Sequence, residues 1–95
     1  MAIRFEWDKE KARQNAKKHG VTFEEAATVF GDPLARIHDD PDHSQTERRE
    51  IMVGHSSRGR ILLIAFTERK RATRLISARE TTPHERKDYE EARQK

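Results

Sequence analysis

The sequence predicts an α+β domain: a strand and two helices, then an antiparallel β-meander, then a closing helix. Three observations carry that prediction. Apolar residues alternate at Ile3, Phe5 and Trp7, as in a strand with one buried face. Two Thr-x-x-Glu boxes, at Thr22 and Thr82, mark helix starts. Between them the run Ile61-Leu62-Leu63-Ile64-Ala65-Phe66 lies among shorter β-like stretches. With 95 residues the chain holds one domain, residues 1–95.

Asp8 follows the first strand and reads as an N-cap, because its carboxylate accepts from free backbone N–H groups. Residues 9–19 are good helix formers, and Gly20 ends them in a left-handed position. This helix is polar nearly all round, with Ala12, Asn15 and Ala16 as its inner stripe. In the Thr22 box the hydroxyl and the Glu25 carboxylate are expected to satisfy reciprocal backbone donors, with Val21 and Ala26 as a hydrophobic staple. Phe23, Ala26, Ala27 and Phe30 fall at helical spacing and face the core, and Gly31-Asp32-Pro33 stops the helix. Residues 34–38 read as a strand and 39–45 as an exposed loop. A strand around Ile51 and Val53 turns at Ser56-Ser57-Arg58-Gly59 into the long apolar strand. Its continuous rather than alternating pattern predicts cover on both faces. A charged turn, Arg69-Lys70-Arg71, leads to a last strand over 73–78, antiparallel because the connections are short. Thr82 as N-cap, Pro83 at the first position and Glu85 at the third open a helix over 83–94, with Tyr89 and Ala92 on one side.

Charged residues make up 39% of the chain and hydrophobic ones 33%, which describes a folded domain with a heavily charged surface. Cysteine is absent, excluding disulfides and thiolate metal sites. The opening Met1-Ala2-Ile3-Arg4 is not that of a secretory leader, and no apolar run reaches membrane-spanning length, so the cytoplasm is expected. The net charge of +3 is unevenly spread. Residues 1–20 carry six basic and three acidic groups, residues 21–50 three and eight, and residues 51–95 eleven and six. The basic last half suits a polyanion, and the acidic middle suits a basic partner or plain solvation.

No Gly-rich phosphate loop, nucleophile elbow or convincing metal motif is present, and no cofactor is expected. His38, Asp39, Asp40, Asp42 and His43 offer nitrogen and oxygen ligands, but an acidic loop has the same composition. Two clusters bear on RNA chemistry. His43, Glu47, Arg48 and Arg49 combine an imidazole, a carboxylate and guanidiniums, the parts that cut RNA without metal. In an extended segment Glu47, Arg49 and Ile51 share one face. A solvated strand edge with a surface Glu–Arg pair has the same composition, and residue types alone favour that reading. The second cluster is Arg74, Ser77, Arg79, Glu80, His84, Glu85 and Arg86, at the junction of the last strand and helix. Arg79 there can grip a phosphate bidentately, while capping alone accounts for Glu85. Tyr89 is either a base-stacking ring or a core aromatic with a wet tip. His19 complements its helix dipole, Trp7 reads as a core anchor, and His55 carries no particular signal.

Read in order, these stretches resemble one family. Phe5-Glu6-Trp7-Asp8, Lys11, Asn15 and residues 18–26 are similar to the N-terminal pattern of the BrnT toxins. Val29-Phe30-Gly31-Asp32-Pro33 continues it. His43-Ser44, Glu47, Arg49, Gly54-His55-Ser56 and Arg60-Ile61-Leu62 resemble its middle, and Arg74-Leu75-Ile76-Ser77-Ala78-Arg79, Glu85-Arg86 and Tyr89-Glu90 its end. The chain departs from the pattern at Thr81-Thr82-Pro83-His84, where a more basic stretch is expected. The resemblance implies a RelE-like fold and a metal-independent endoribonuclease toxin of a type II toxin–antitoxin system. It implies a BrnA-like partner, a ribbon-helix-helix antitoxin that makes the DNA contact while the toxin meets RNA. By motif position it implies His43, Glu47, Arg49, Arg79 and Tyr89 as active-site residues. Arg60, Arg74 and Arg86 are the further cations expected to meet RNA. Two other readings are a non-catalytic nucleic-acid-binding module and a degenerate toxin kept to hold an antitoxin.

Overall fold

The computed structural model describes residues 3–40, 42 and 47–93. Helix α1 (Lys9–His19) starts where the Asp8 carboxylate accepts the Glu10 and Lys11 amides, at 2.8 and 3.1 Å. It ends where Gly20 turns left-handed at φ 69°. Helix α2 (Phe23–Thr28) begins on the Thr22 hydroxyl and runs into a 3₁₀ turn at Val29–Gly31. Only half of the expected Thr22 box forms: Thr22 accepts the Glu25 amide, but the Glu25 carboxylate does not fold back. It is buried against Ser56 and Arg60, because a long basic partner in the turn between two strands outcompetes a local amide.

Strands β1 (Phe5–Glu6), β2 (Arg36–Asp39), β3 (Glu50–His55), β4 (Ile61–Arg69) and β5 (Ala72–Glu80) form one sheet, ordered β1-β5-β4-β3-β2. The last four make the expected antiparallel meander. Strand β1 adds parallel to β5, Phe5 facing Thr73 and Glu6 facing Arg74. The long connection that parallel pairing requires runs through α1 and α2 and then back across the sheet through β2, β3 and β4. Ile3, placed inward by alternation, precedes β1 and is half exposed.

The two sheet faces are covered unequally. One carries α1 and α2 over a core of Val21, Phe23, Ala26, Val29, Met52, Leu62, Ile64, Phe66, Leu75 and Ala78. Phe5, Phe30 and Phe66 meet edge-on in series, and Trp7 meets Phe23 the same way. Leu75 and Ala78 both reach this core although three residues apart, an odd step that a regular strand would send to opposite faces. A register shift beside Ala65/Phe66 allows it: Ser77 pairs Ala65, Leu75 pairs Phe66, and Ile76 is the extra residue of a bulge. The opposite face holds a smaller cluster of Val53, Ile61 and Tyr89 with Ile51 and Leu63 beside it. Among the described residues its cover is helix α3 (Pro83–Arg93), so the two-sided cover predicted for β4 is partial there and Leu63 is half-buried.

Two polar details lock the helical side. Beyond the short β1 the edge of β5 is open, and buried Asn15 completes it. Its amide donates to the carbonyls of Ala78 at 2.8 Å and Val21 at 3.0 Å, and accepts the Ala78 amide at 3.0 Å. Gly54 lies where a Cβ would stand 2.8 Å from Ala35 Cβ and 3.0 Å from an Asp32 carboxylate oxygen.

Asn15→Ala leaves buried peptide groups unpaired, a cost of about 1–3 kcal/mol. Gly54→Ala forces backbone and side chains apart at a similar cost, about 1–3 kcal/mol. Each is expected to lower Tm by several degrees in a thermal melt, whereas Gln14→Ala on the exposed side of α1 leaves Tm unchanged.

Candidate active site on the less covered sheet face

Val53, Leu63 and Arg79 stand in direct cross-strand register, so the Arg79 side chain rises from the face that α3 crosses. There it meets Glu85 on the first turn of α3 in a two-pronged pair, Nη1 to Oε1 at 2.8 Å and Nη2 to Oε2 at 2.9 Å. Glu85 also completes the second Thr box: its carboxylate accepts the Thr82 amide at 2.9 Å, and the Thr82 hydroxyl accepts the Glu85 amide at 3.2 Å. The Arg79 guanidinium, aided by the Thr82 amide, holds the Glu85 carboxyl down at about 2. Arg79 is raised in turn by the same hydrogen bonds.

One helical turn on, Tyr89 is buried over Val53 and Ile61. Its hydroxyl donates to Asp32 Oδ2 at 3.0 Å and stands 3.3 Å from His55 Nδ1. The same Asp32 oxygen accepts the His55 amide at 2.8 Å, and Asp32 Oδ1 accepts the Leu34 amide at 2.9 Å. Burial pushes the Asp32 carboxyl up, but these donors outweigh it and hold the group below its ordinary value. Between α3 and the sheet lies a groove of about 290 Å³, walled by Glu85, Asp88 and Tyr89 on one side and by Arg36, His38 and Leu63 on the other.

The remaining sequence-predicted residues are placed unevenly. His43 lies outside the described residues. Glu47 is exposed beside Arg69, at 3.1 Å, and Arg74 is 3.0 Å from Glu6, which Arg69 also approaches. Arg74 and Arg79 are separated by five residues of β5, roughly 15 Å, so this charge ladder sits at the far end of the sheet. Arg49 is half-buried just before β3, and its carbonyl accepts the Asp40 amide at 2.9 Å. Arg86 faces solvent on α3, 3.7 Å from Glu90. Arg60 is turned to the helical side of the sheet, where it pairs with Glu25 and donates to the Gly20 carbonyl at 3.1 Å. The fold therefore places Arg79 and Tyr89 on the same side of the sheet without bringing them into contact, links Glu47 to Arg74 through Arg69 and Glu6, and turns Arg60 to the other side. Asp32 and His55 were missed as site residues. Asp32 reads as a helix stop and His55 as a turn neighbour, and only the adjacency of Gly54 to His55 hinted at a close approach. Among the described residues no three His, Cys, Asp or Glu side chains converge as metal ligands. No helix among them is long and apolar enough to cross a membrane.

Fold and site together define a small α+β domain with guanidiniums and an imidazole on one side of its sheet. The chain belongs to the BrnT toxin family: residues 7–85 match the model described as "Ribonuclease toxin, BrnT, of type II toxin-antitoxin system". A comparison with curated proteins found no match. Among solved structures the fold is similar to that of the ribonuclease toxin BrnT of Brucella abortus. The TM-score is 0.67 at 20% identity, over 85% of this chain and 99% of that one.

Glu85 links α3 to pH. Its carboxyl lies at about 2 in the folded protein against an ordinary 4.5, so its contribution is complete above 4.5 and is lost as pH falls towards 2. Equilibrium unfolding followed across that range is expected to show declining stability, with a shallower decline in Glu85→Gln. Equal slopes in the two proteins would remove Glu85 from the acid transition.

Proposed function

We propose that the protein is the toxin of a type II toxin–antitoxin pair and cuts RNA endonucleolytically without a metal. The family description supports the ribonuclease class. The observation that carries the reading is the two-pronged grip of Arg79 on Glu85. A carboxylate and a phosphodiester both present two anionic oxygens to a planar guanidinium, so Glu85 holds the place of a substrate phosphate. RNA displaces Glu85, and Arg79 then neutralises the charge that grows on phosphorus when the ribose 2′-oxygen attacks. The products are a 2′,3′-cyclic phosphate and a 5′-hydroxyl. Arg74 and Glu47 meet the strand further along the sheet, with Arg49 nearby, and Arg86 adds charge from α3. Arg60 supports the fold through Glu25. Of the proton-transfer groups named from sequence, Glu47 is too far from Arg79 to serve the same phosphate, and His43 remains a candidate. The neutralising partner is a BrnA-like ribbon-helix-helix antitoxin, through which alone the pair meets DNA, in the cytoplasm.

The test is purified toxin, free of antitoxin, incubated with total RNA in EDTA beside Arg79→Ala and Arg79→Lys. New 5′-hydroxyl ends are expected from the wild type, with a loss of about 100-fold or more in Arg79→Ala, an effect of the size that electrostatic stabilisers give. Arg79→Lys, keeping charge but not the fork, falls between. Salt-sensitive binding with intact RNA would instead indicate a nucleic-acid-binding module. A tight antitoxin complex with neither binding nor cleavage would indicate a degenerate toxin. Glu85→Gln, which loosens the internal occupant of Arg79, is expected to lower the KM for RNA.

A further inference from the structure

Cleavage by 2′-OH attack needs a base beside the scissile phosphate, and the Arg79 end of the sheet holds one that the sequence did not signal. His55 ends β3 on the same face as Val53, Leu63 and Arg79. Two strand spacings and two residues separate it from Arg79, roughly 12 Å between Cα atoms, a gap that two extended side chains narrow. Glu85 and Tyr89, one turn apart on α3, stand at the two ends of this gap, the first on Arg79 and the second on His55.

The hydrogen bonds around the ring point to one tautomer. Asp32 Oδ2 accepts from the His55 amide and the Tyr89 hydroxyl, and an ionised carboxylate has nothing to donate. The single Tyr89 proton is thus spent on Asp32, and the phenol oxygen has only acceptor capacity left for His55 Nδ1, at 3.3 Å. With that assignment neutral His55 carries its proton on Nδ1 and its lone pair on Nε2. The Asp32 carboxylate, 3.7 Å from Nδ1, is also placed to stabilise the ring once it is charged. The side chain is 36% exposed, so substrate can reach it.

We propose that His55 is the general base of the RNA cleavage, with Tyr89 and Asp32 as its positioning residues; this rests on the ribonuclease reading above. His55 Nε2 takes the 2′-OH proton as the 2′-oxygen bonds to phosphorus. The bond from phosphorus to the 5′-oxygen breaks, that oxygen takes a proton from water, and the imidazolium returns its own proton to solvent. Among the described residues, Asp32 from the turn after α2 and Tyr89 from α3 are the titratable groups facing the ring.

The experiment measures cleavage of a defined RNA oligonucleotide against pH for wild type, His55→Ala, Tyr89→Phe, Asp32→Asn and Arg79→Ala, with circular dichroism as the fold control. His55→Ala is expected to lose about 10²–10⁴-fold in kcat with little change in KM, and to lose the acid limb of the profile. Added imidazole restores part of its rate. Tyr89→Phe keeps the ring contact with Val53 and Ile61 but shifts the limb and lowers kcat less. Nitrogen-15 NMR of the folded wild type reports the tautomer directly, with the proton expected on Nδ1. His55→Ala cutting at the wild-type rate while Arg79→Ala is inactive would overturn this inference and leave the ribonuclease reading standing. A wild type that leaves RNA intact would overturn both. A proton found on Nε2 of neutral His55 would also overturn the base assignment, whatever the kinetics.

Discussion

Asp32 is the constraint on which the rest of the structure turns. One carboxylate ties the end of the α2 segment, the end of β3 and the middle of α3 together, through the Leu34 and His55 amides and the Tyr89 hydroxyl. A group with so many donors stays charged despite its burial, because each donor favours the ionised form. The close approach leaves no room for a side chain at residue 54, where even a Cβ would crowd Val29, Asp32 and Ala35. Gly54 is thus the counterpart of Asp32, a missing side chain that lets a polar group reach from the helical layer to the strand end. Through Asp32 the helical layer also sets the position of α3 on the opposite side of the sheet.

The sheet separates two kinds of stabilisation. Its helical face is held by aromatic edges and aliphatic packing, closed by Asn15 at one margin and by Glu25, Ser56 and Arg60 at another. Its other face has a small apolar cluster and is otherwise lined by charge: Glu6, Arg74 and Arg79 along one side, Arg36 and His38 along the other. The bulge at Ile76 divides the two sets along β5, sending Leu75 and Ala78 to the core while Arg74 and Arg79 stay outside. A charged, thinly packed face is possible on so small a domain because the stabilising contacts are concentrated on the other.

Most of the architecture was legible in the sequence because it follows from local signals. Asp8, Gly20, Thr22, Thr82 and Pro83 place the helix ends, and the apolar run places the central strand. The signals failed where a side chain chose a distant partner over a near one. The two Thr boxes are alike in sequence, yet Glu85 folds back onto Thr82 while Glu25 leaves Thr22 for Arg60, thirty-five residues away. Leu34, assigned to a strand, instead sits in the turn made by Asp32. At the candidate site, Arg79 and Tyr89 were named from the sequence, by motif position and by their place around the strand-to-helix junction. Asp32 and His55 were not, since what distinguishes them is their meeting with Tyr89 across fifty-seven and thirty-four residues.

The parallel pairing of β1 with β5 bears on the order in which the molecule assembles. Phe5 and Glu6 leave the ribosome well before their partners Thr73 and Arg74. Contacts of such long sequence separation form late, since the intervening chain must first be closed into a loop. During synthesis α1, α2 and the first hairpins emerge with the margin of the future sheet unoccupied, and Asn15 has no Ala78 to bind. Until β5 has emerged, the growing chain is therefore a partly assembled sheet with that margin open. The Arg79–Glu85 pair and the groove beside α3 therefore form only after β5 and α3 have both emerged.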